Sequence, residues 1–306
     1  MREIFLNSLS PLKKIKMETN KVYKNVSLTK FNSWKVGGKA ENFVICSDIS
    51  FLCKLIKNKK VQRPIKFIGL GSNILVRDNG VKGTTIVMHK GLNNFFKEQE
   101  LFYSEAGLSC SKFSKLIAKE GHSGSAFLSG IPGTIGGALA MNAGCYGSEI
   151  WSYVKKVKMV NADGDLIERY PNDFKVGYRK IQKKNEAENF VGAWFSFPKG
   201  KKVEAEESIR KLLSHRKSTQ PLSWPSAGST FKNPDNNYAA KLIEDCGLKG
   251  FKIGDAQISE KHANFIINLG AARAKDIEDL IKHIKKIVLK ETNIKLIPEV
   301  EIIGDV

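Results

Sequence analysis

The sequence predicts an α+β protein of two folded units, residues 31–199 and 200–306, behind a polar, basic lead-in over residues 1–30. Three observations predict it. From Phe43 onward, strand-length apolar runs alternate with amphipathic stretches. Gly, Pro, Asn and Asp punctuate those runs at short intervals. Composition shifts after Pro198-Lys199-Gly200, where a charged helical stretch begins. A chain of 306 residues can bury more than one core, and 42% hydrophobic content is ordinary for a globular protein.

The elements follow in order. Phe43-Val44-Ile45-Cys46 reads as a buried strand, and Ser50 as the cap of a helix with Phe51, Leu52, Leu55 and Ile56 on one face. Residues 65–68 form the next strand and run straight into Gly69-Leu70-Gly71-Ser72-Asn73. Residues 84–88 and the run Leu101-Phe102-Tyr103 continue the strand pattern. A helix over 111–120, with Phe113, Leu116 and Ile117 inward, is stopped by Gly121. Strands at 154–160 and 166–170 flank Asn161-Ala162-Asp163-Gly164, a hairpin signal, and 190–197 is a further strand. Beyond the boundary, helices are predicted over 204–215, 238–246 and 276–290. The last aligns Ile277, Leu280, Ile281, Ile284, Ile287 and Val288 as a core face. No repeat of solenoid period is present.

Fifty Lys and Arg against 31 Asp and Glu give a net charge of +19. That excess fits phosphorylated small molecules steered by the field, and it equally fits solvated Lys faces. It is scattered Lys (Lys54, Lys57, Lys155, Lys156, Lys158) and not an Arg stripe interleaved with aromatics, so no nucleic-acid partner is expected. Five cysteines, odd in number and without C-x-x-C, argue against a disulfide framework or zinc site and for a reducing compartment. The five histidines lack ligand spacing, so no metal is expected. The apolar patch Ile4-Phe5-Leu6 is too short for a signal segment. Residues 122–148 carry no Lys, Arg, Asp or Glu, yet they are too glycine-rich for a spanning helix and read as a buried loop. A cytoplasmic protein without membrane insertion is expected.

Several segments could carry chemistry. Pro225-Ser226-Ala227-Gly228-Ser229-Thr230-Phe231-Lys232-Asn233-Pro234 sets a hydroxyl and an ammonium on a tight loop fenced by two prolines. Gly69-Leu70-Gly71-Ser72-Asn73-Ile74 follows a strand, and its N–H groups could converge on an anion or simply turn a corner. It is neither a dinucleotide fingerprint nor a P-loop, lacking the third glycine and the Gly-Lys-Ser/Thr ending. Ser129-Gly130-Ile131-Pro132-Gly133-Thr134-Ile135-Gly136-Gly137-Ala138 has four glycines, which would let a cofactor diphosphate or another chain segment lie on bare backbone. Arg179 in Gly177-Tyr178-Arg179 can recognise carboxylate or phosphate, though a lone Arg is commonly a surface residue. Glu299 lies in an apolar run, either as the outward residue of a strand or as a buried carboxylate with a partner. Arg216 is a further possible anion contact at the unit junction.

Taken in this order, the segments resemble the UDP-N-acetylenolpyruvoylglucosamine reductase family. The matching residues are Val36-Gly37-Gly38, Gly69 to Val76, Ser129 to Gly147, Tyr178-Arg179, Gly228 to Pro234, Gly247 to Gly250, His262 to Phe265 and Pro298-Glu299-Val300, spanning roughly residues 30 to 304. The resemblance implies a vanillyl-alcohol-oxidase-type FAD-binding domain of two α/β subdomains over 31–199 and a substrate-binding α+β domain over 200–306. It implies non-covalent FAD, NADPH as co-substrate and the enolpyruvyl ether of UDP-N-acetylglucosamine as substrate; a monomer is expected. The family's catalytic positions fall on Arg179, Ser229 and Glu299. FAD contacts are implied for Gly69, Gly71, Ser72, Asn73, Ile74, Ser129, Pro132, Gly133, Gly136, Gly137 and Arg216, and substrate contacts for Tyr178, Lys232 and Asn233. The short interval from Gly147 to Tyr178 resembles the subtype lacking an extra Tyr-bearing loop. Ile181 and Cys145 depart from the family's usual serine and alanine. In this chemistry hydride reaches the vinyl carbon, Arg179 and Glu299 stabilise the enolate, and Ser229 donates a proton to the carbanion. Glu299 must then be protonated or share a proton, since two anions repel.

Overall fold

The protein is described from a computed structural model covering residues 17–58 and 61–306. The expectations for residues 1–16, including the patch at Ile4 to Leu6, lie outside the described residues.

The first unit contains β1 (Val22–Ser27), β2 (Lys39–Ile45), α1 (Ile49–Lys57), β3 (Ile65–Ile68), β4 (Ile74–Val76) and β5 (Val81–Val87). Its sheet runs β1-β2-β5-β3, with β5 parallel to both neighbours and β1 antiparallel to β2. Residues 22–27, expected as part of the lead-in, form this edge strand. Most of their side chains face water, which is why the run carries little periodicity. The cap of α1 is Asp48 and not Ser50: its carboxylate accepts the Phe51 N–H at 2.7 Å. Leu52, Leu55 and Ile56 are then buried against Val44, Ile86 and Met88.

The second unit contains β6 (Phe95–Glu98), β7 (Leu101–Glu105), α2 (Cys110–Lys119), a 3-10 turn (Ala126–Gly130), α3 (Ile135–Met141), β8 (Gly144–Cys145), β9 (Ser148–Glu149), β10 (Val154–Val160), β11 (Leu166–Arg169), β12 (Lys175–Gly177), β13 (Lys180–Gln182), β14 (Asn189–Phe195) and α4 (Lys202–Thr219). The main sheet is antiparallel in the order β11-β10-β14-β7-β6. The hairpin at 161–164 is present, with Gly164 at φ +83° and the Asn161 side chain accepting from the Asp163 and Asp165 N–H groups. The glycine-rich segment, expected to be loop throughout, contains α3. Thr134 caps it by accepting the Gly137 N–H, and Asn142 ends it at φ +47°. Gly136 is required by a close approach, because a Cβ there would lie 2.8 Å from the Ala106 Cβ. Burial of Ile135, Ala138 and Leu139 offsets the roughly 1 kcal/mol that a glycine costs inside a helix. Ala205 and Ile209 of α4 pack on Ala118 and Ala126, so this helix lies on the second unit.

The third unit contains α5 (Ala239–Asp245), β15 (Lys252–Ile253), β16 (Ala256–Ile258), β17 (Ile266–Asn268), α6 (Ala274–Thr292) and β18 (Glu301–Ile303). The predicted face of α6 is buried at Ile277, Leu280, Ile281, Ile284 and Val288, whereas Ile287 packs at the margin. Two features lock this unit to the first. The Trp34 indole is fully buried in the same cluster and donates to the Ile266 carbonyl at 2.7 Å. Strand β18 pairs in parallel with β4, Glu301 opposite Ile74, which brings Glu299 to the Ser72-Asn73 turn. All five cysteines are free. No helix among the described residues is long and apolar enough to cross a membrane.

Candidate active site

The loop carrying Ser229 is held by backbone pairing with the segment carrying Glu299. Glu299 N–H donates to the Thr230 carbonyl at 2.8 Å and Lys232 N–H to the Ile297 carbonyl at 2.9 Å, across the Phe231–Pro298 bridge. The buried Asn264 side chain adds two bonds to the Phe231 backbone. Gly228, at φ +76°, lets the chain turn into this clamp. Residues 70 positions apart in sequence are thereby fixed side by side.

Arg179 arrives from a hairpin. Tyr178-Arg179 is the two-residue turn between β12 and β13, and Arg179 holds φ +51°, a conformation that side chains rarely adopt. Its guanidinium has a partner at each nitrogen. Nε donates to Glu299 Oε1 at 3.0 Å, one terminal nitrogen to the Gly144 carbonyl, and the other to the Asn142 carbonyl at 3.5 Å, with Glu149 at 3.8 Å. The Lys232 ammonium donates to the Arg179 carbonyl at 3.0 Å and so pins the turn from the Ser229 loop.

These groups surround a cavity of about 210 Å³ where the three units meet. Arg179, Ser229, Glu299, Ser72, Asn73, Pro132, Tyr178, Asn233 and Arg216 all line it. Gly69, Gly136 and Gly137 instead line a neighbouring cavity of about 520 Å³, together with Arg63 and Lys66. Gly133 adjoins Ser72, a Cβ there lying 3.5 Å from the Ser72 hydroxyl. Gly71, at φ +66°, turns the loop against Phe31, and Ile74 opens β4. Ser129 lines neither cavity; it is buried and donates to the Ala126 carbonyl at 2.6 Å. Lys232 lines neither as well, acting on Arg179 as described.

Electrostatics sharpen the arrangement. Burial raises the Glu299 carboxyl above its ordinary range, against the opposing pull of Arg179 and Lys232. Burial pushes the Cys145 thiol up to about 11, Arg179 and Arg216 notwithstanding, and the thiol donates to the Phe127 carbonyl at 3.1 Å. Burial likewise lowers Arg216 from the usual guanidinium range, while its Nε donates to Gln220 at 2.8 Å. The half-buried Ser229 hydroxyl has no hydrogen-bond partner among the described residues and faces the cavity free to donate. The backbone N–H groups of Leu70, Gly71, Ser72 and Asn73, and those of Gly133 and Thr134, are also unpartnered among the described residues. Two adjoining loops with unpartnered N–H rows suit the oxygens of a diphosphate.

Asn142 and Glu149 were not singled out as site residues from sequence. Asn142 is fully buried, and its side-chain amide donates to Glu149 at 2.7 Å and to the Gly177 carbonyl at 3.1 Å. One sequence signal pointed there: Glu149 is the first charge after the uncharged stretch 122–148.

Comparisons with known proteins identify the family. Residues 41–169 match the FAD binding domain family, and residues 220–303 match the family described as UDP-N-acetylenolpyruvoylglucosamine reductase, C-terminal domain. A UDP-N-acetylenolpyruvoylglucosamine reductase from Nitrosomonas eutropha is 47% identical over 283 residues, covering 89% of this chain and 85% of that one. One from Nitrosospira multiformis is 43% identical over 298 residues, covering 90% and 86%. The crystal structure of the UDP-N-acetylenolpyruvylglucosamine reductase from Thermus caldophilus superposes with a TM-score of 0.80 at 31% identity, covering 93% of this chain and 99% of that one. The chain belongs to the UDP-N-acetylenolpyruvoylglucosamine reductase family and carries that family's C-terminal domain behind an FAD-binding domain.

Proposed function

We propose that the chain is an FAD-dependent, NADPH-consuming oxidoreductase of peptidoglycan precursor synthesis that reduces the enolpyruvyl ether of UDP-N-acetylglucosamine to UDP-N-acetylmuramate. The observation that carries this reading is the convergence of Arg179, Ser229 and Glu299, from three distant parts of the chain, on one cavity. The unpartnered N–H rows at 70–73 and 133–134 fit the FAD diphosphate, with Gly69, Gly136 and Gly137 lining the adjoining cavity and Arg216 close to both Cys145 and Tyr146. When bound, FAD supplies the hydride equivalent that it takes from NADPH.

The remaining work falls to side chains. Tyr178 and Asn233 line the substrate space, and Lys232 holds the Arg179 turn. Arg179 and a protonated Glu299 take up the negative charge that develops beside the substrate carboxylate. A neutral Glu299 can donate there, and its burial favours that form. The free Ser229 hydroxyl donates the proton that completes the reduction and regains one from water. The five free cysteines support a cytoplasmic enzyme.

Rapid mixing of Ser229→Ala tests this directly. NADPH should bleach its flavin at nearly the wild-type rate, while the enolpyruvyl substrate should restore the colour slower by about 10³-fold or more. Normal reoxidation in the variant would remove Ser229 from the reaction.

A further inference from the structure

Arg179 is shared between two carboxylates. Glu299 Oε1 lies 3.0 Å from its Nε, and Glu149 Oε1 lies 3.8 Å from Nη1. Glu149 sits on β9, and its other oxygen accepts from the Asn142 amide at 2.7 Å. Asn142 is fully buried at the left-handed end of α3, and it also bonds the β12 end of the Arg179 hairpin through the Gly177 carbonyl. One rigid amide therefore fixes both the hairpin and the second carboxylate.

We propose that Glu149, held by Asn142, is a positioning residue for the reduction: it takes up part of the Arg179 charge, so that Glu299 keeps a proton and can donate to the developing enolate. This rests on the proposed function and adds a group that does not touch substrate. Glu299 faces Arg179 from the hairpin and Lys232 from the Ser229 loop, while Arg216, Cys145 and Tyr178 line the same cavity. Without a second carboxylate at the Arg179 head, the two cations would draw Glu299 toward its ionised form more strongly. Among the described residues, Glu149 and Glu299 are the carboxylates within ion-pair distance of Arg179.

Glu149→Gln is nearly isosteric and keeps the acceptor for Asn142. The decisive measurement is the pH titration of the Glu299 carboxyl by ¹³C NMR in the FAD-loaded protein, its signal assigned by disappearance in Glu299→Gln. Glu299 should titrate lower in Glu149→Gln than in the wild type. The alkaline limb of flavin reoxidation by the enolpyruvyl substrate should move down with it. A merely structural loss of Arg179 placement would raise the Glu299 titration and slow reoxidation at every pH. An unshifted or raised Glu299 titration overturns the role of Glu149, even when the wild type turns over normally. Failure of the wild-type flavin to be reoxidised by the substrate would overturn the proposed function instead.

Discussion

At Glu299, burial favours the neutral acid while Arg179 at 3.0 Å and Lys232 favour the anion. Burial is the larger influence, so the folded carboxyl holds its proton above the ordinary carboxyl range. The sign of the pH dependence follows. A raised folded value means that stability from this group is full at low pH and declines as pH rises through the folded value. Donation to an enolate needs the same protonated form, so substrate-dependent reoxidation should fall on the alkaline side. Glu299→Gln should abolish that limb and lower the maximal rate by roughly 10²-fold; an unchanged alkaline limb in the variant would assign it to another group. Ser229 was legible in sequence because prolines and glycine mark a braced loop. Arg179 was not legible from its neighbours, since only the fold supplies Glu299, Gly144 and Asn142 as partners.

Among elements, the strands at 65–68 and 154–160 were legible as short runs bounded by turn residues, and the face of α6 because its buried residues recur at helical spacing. The glycine-rich segment was misread in part. Local propensity disfavours a helix through Gly136-Gly137, whereas contact with Ala106 rewards a helix that has no side chain there. Gly136→Ala should therefore destabilise the protein by about 1–3 kcal/mol despite improving helix propensity, read as a lower urea midpoint. A stabilised variant would show that the Ala106 contact yields easily. The cap of α1 was misplaced by two residues, because Asp48 and Ser50 are both capping types and only geometry selects Asp48.

At the scale of the whole molecule, the site exists because the C-terminal unit returns to the first. Trp34 anchors that return through the fully buried indole, its bond to Ile266 and the Asn268 bond to its carbonyl at 2.9 Å. Trp34→Ala should cost about 3–5 kcal/mol in denaturant unfolding. Flavin retention should persist at denaturant concentrations where substrate-dependent reoxidation is already lost, since cavity closure depends on that anchor. Simultaneous loss of both would place Trp34 in the FAD-binding core instead. The +19 charge has no single focus: Lys156 and Lys158 lie over Trp194, and many other lysines pair with nearby carboxylates.

The sequence by itself determined the α+β class, most strand and helix positions, the absence of dinucleotide and P-loop fingerprints, and, through its ordered motifs, the family. These are local properties, carried by periodicity, glycine and proline placement, and residue identity within short windows. Only the tertiary structure decided that Glu299 is buried against Arg179, that Lys232 holds the Arg179 turn, and that Asn142 and Glu149 complete the cluster. It also put Ser72, Asn73, Pro132 and Arg216 at one cavity and Gly69, Gly136 and Gly137 at another, with Gly71, Ile74, Ser129 and Gly133 at neither. Each of those decisions is a contact between residues far apart in the chain. Burial, and with it the protonation of a carboxyl, is set by neighbours that no sequence window contains.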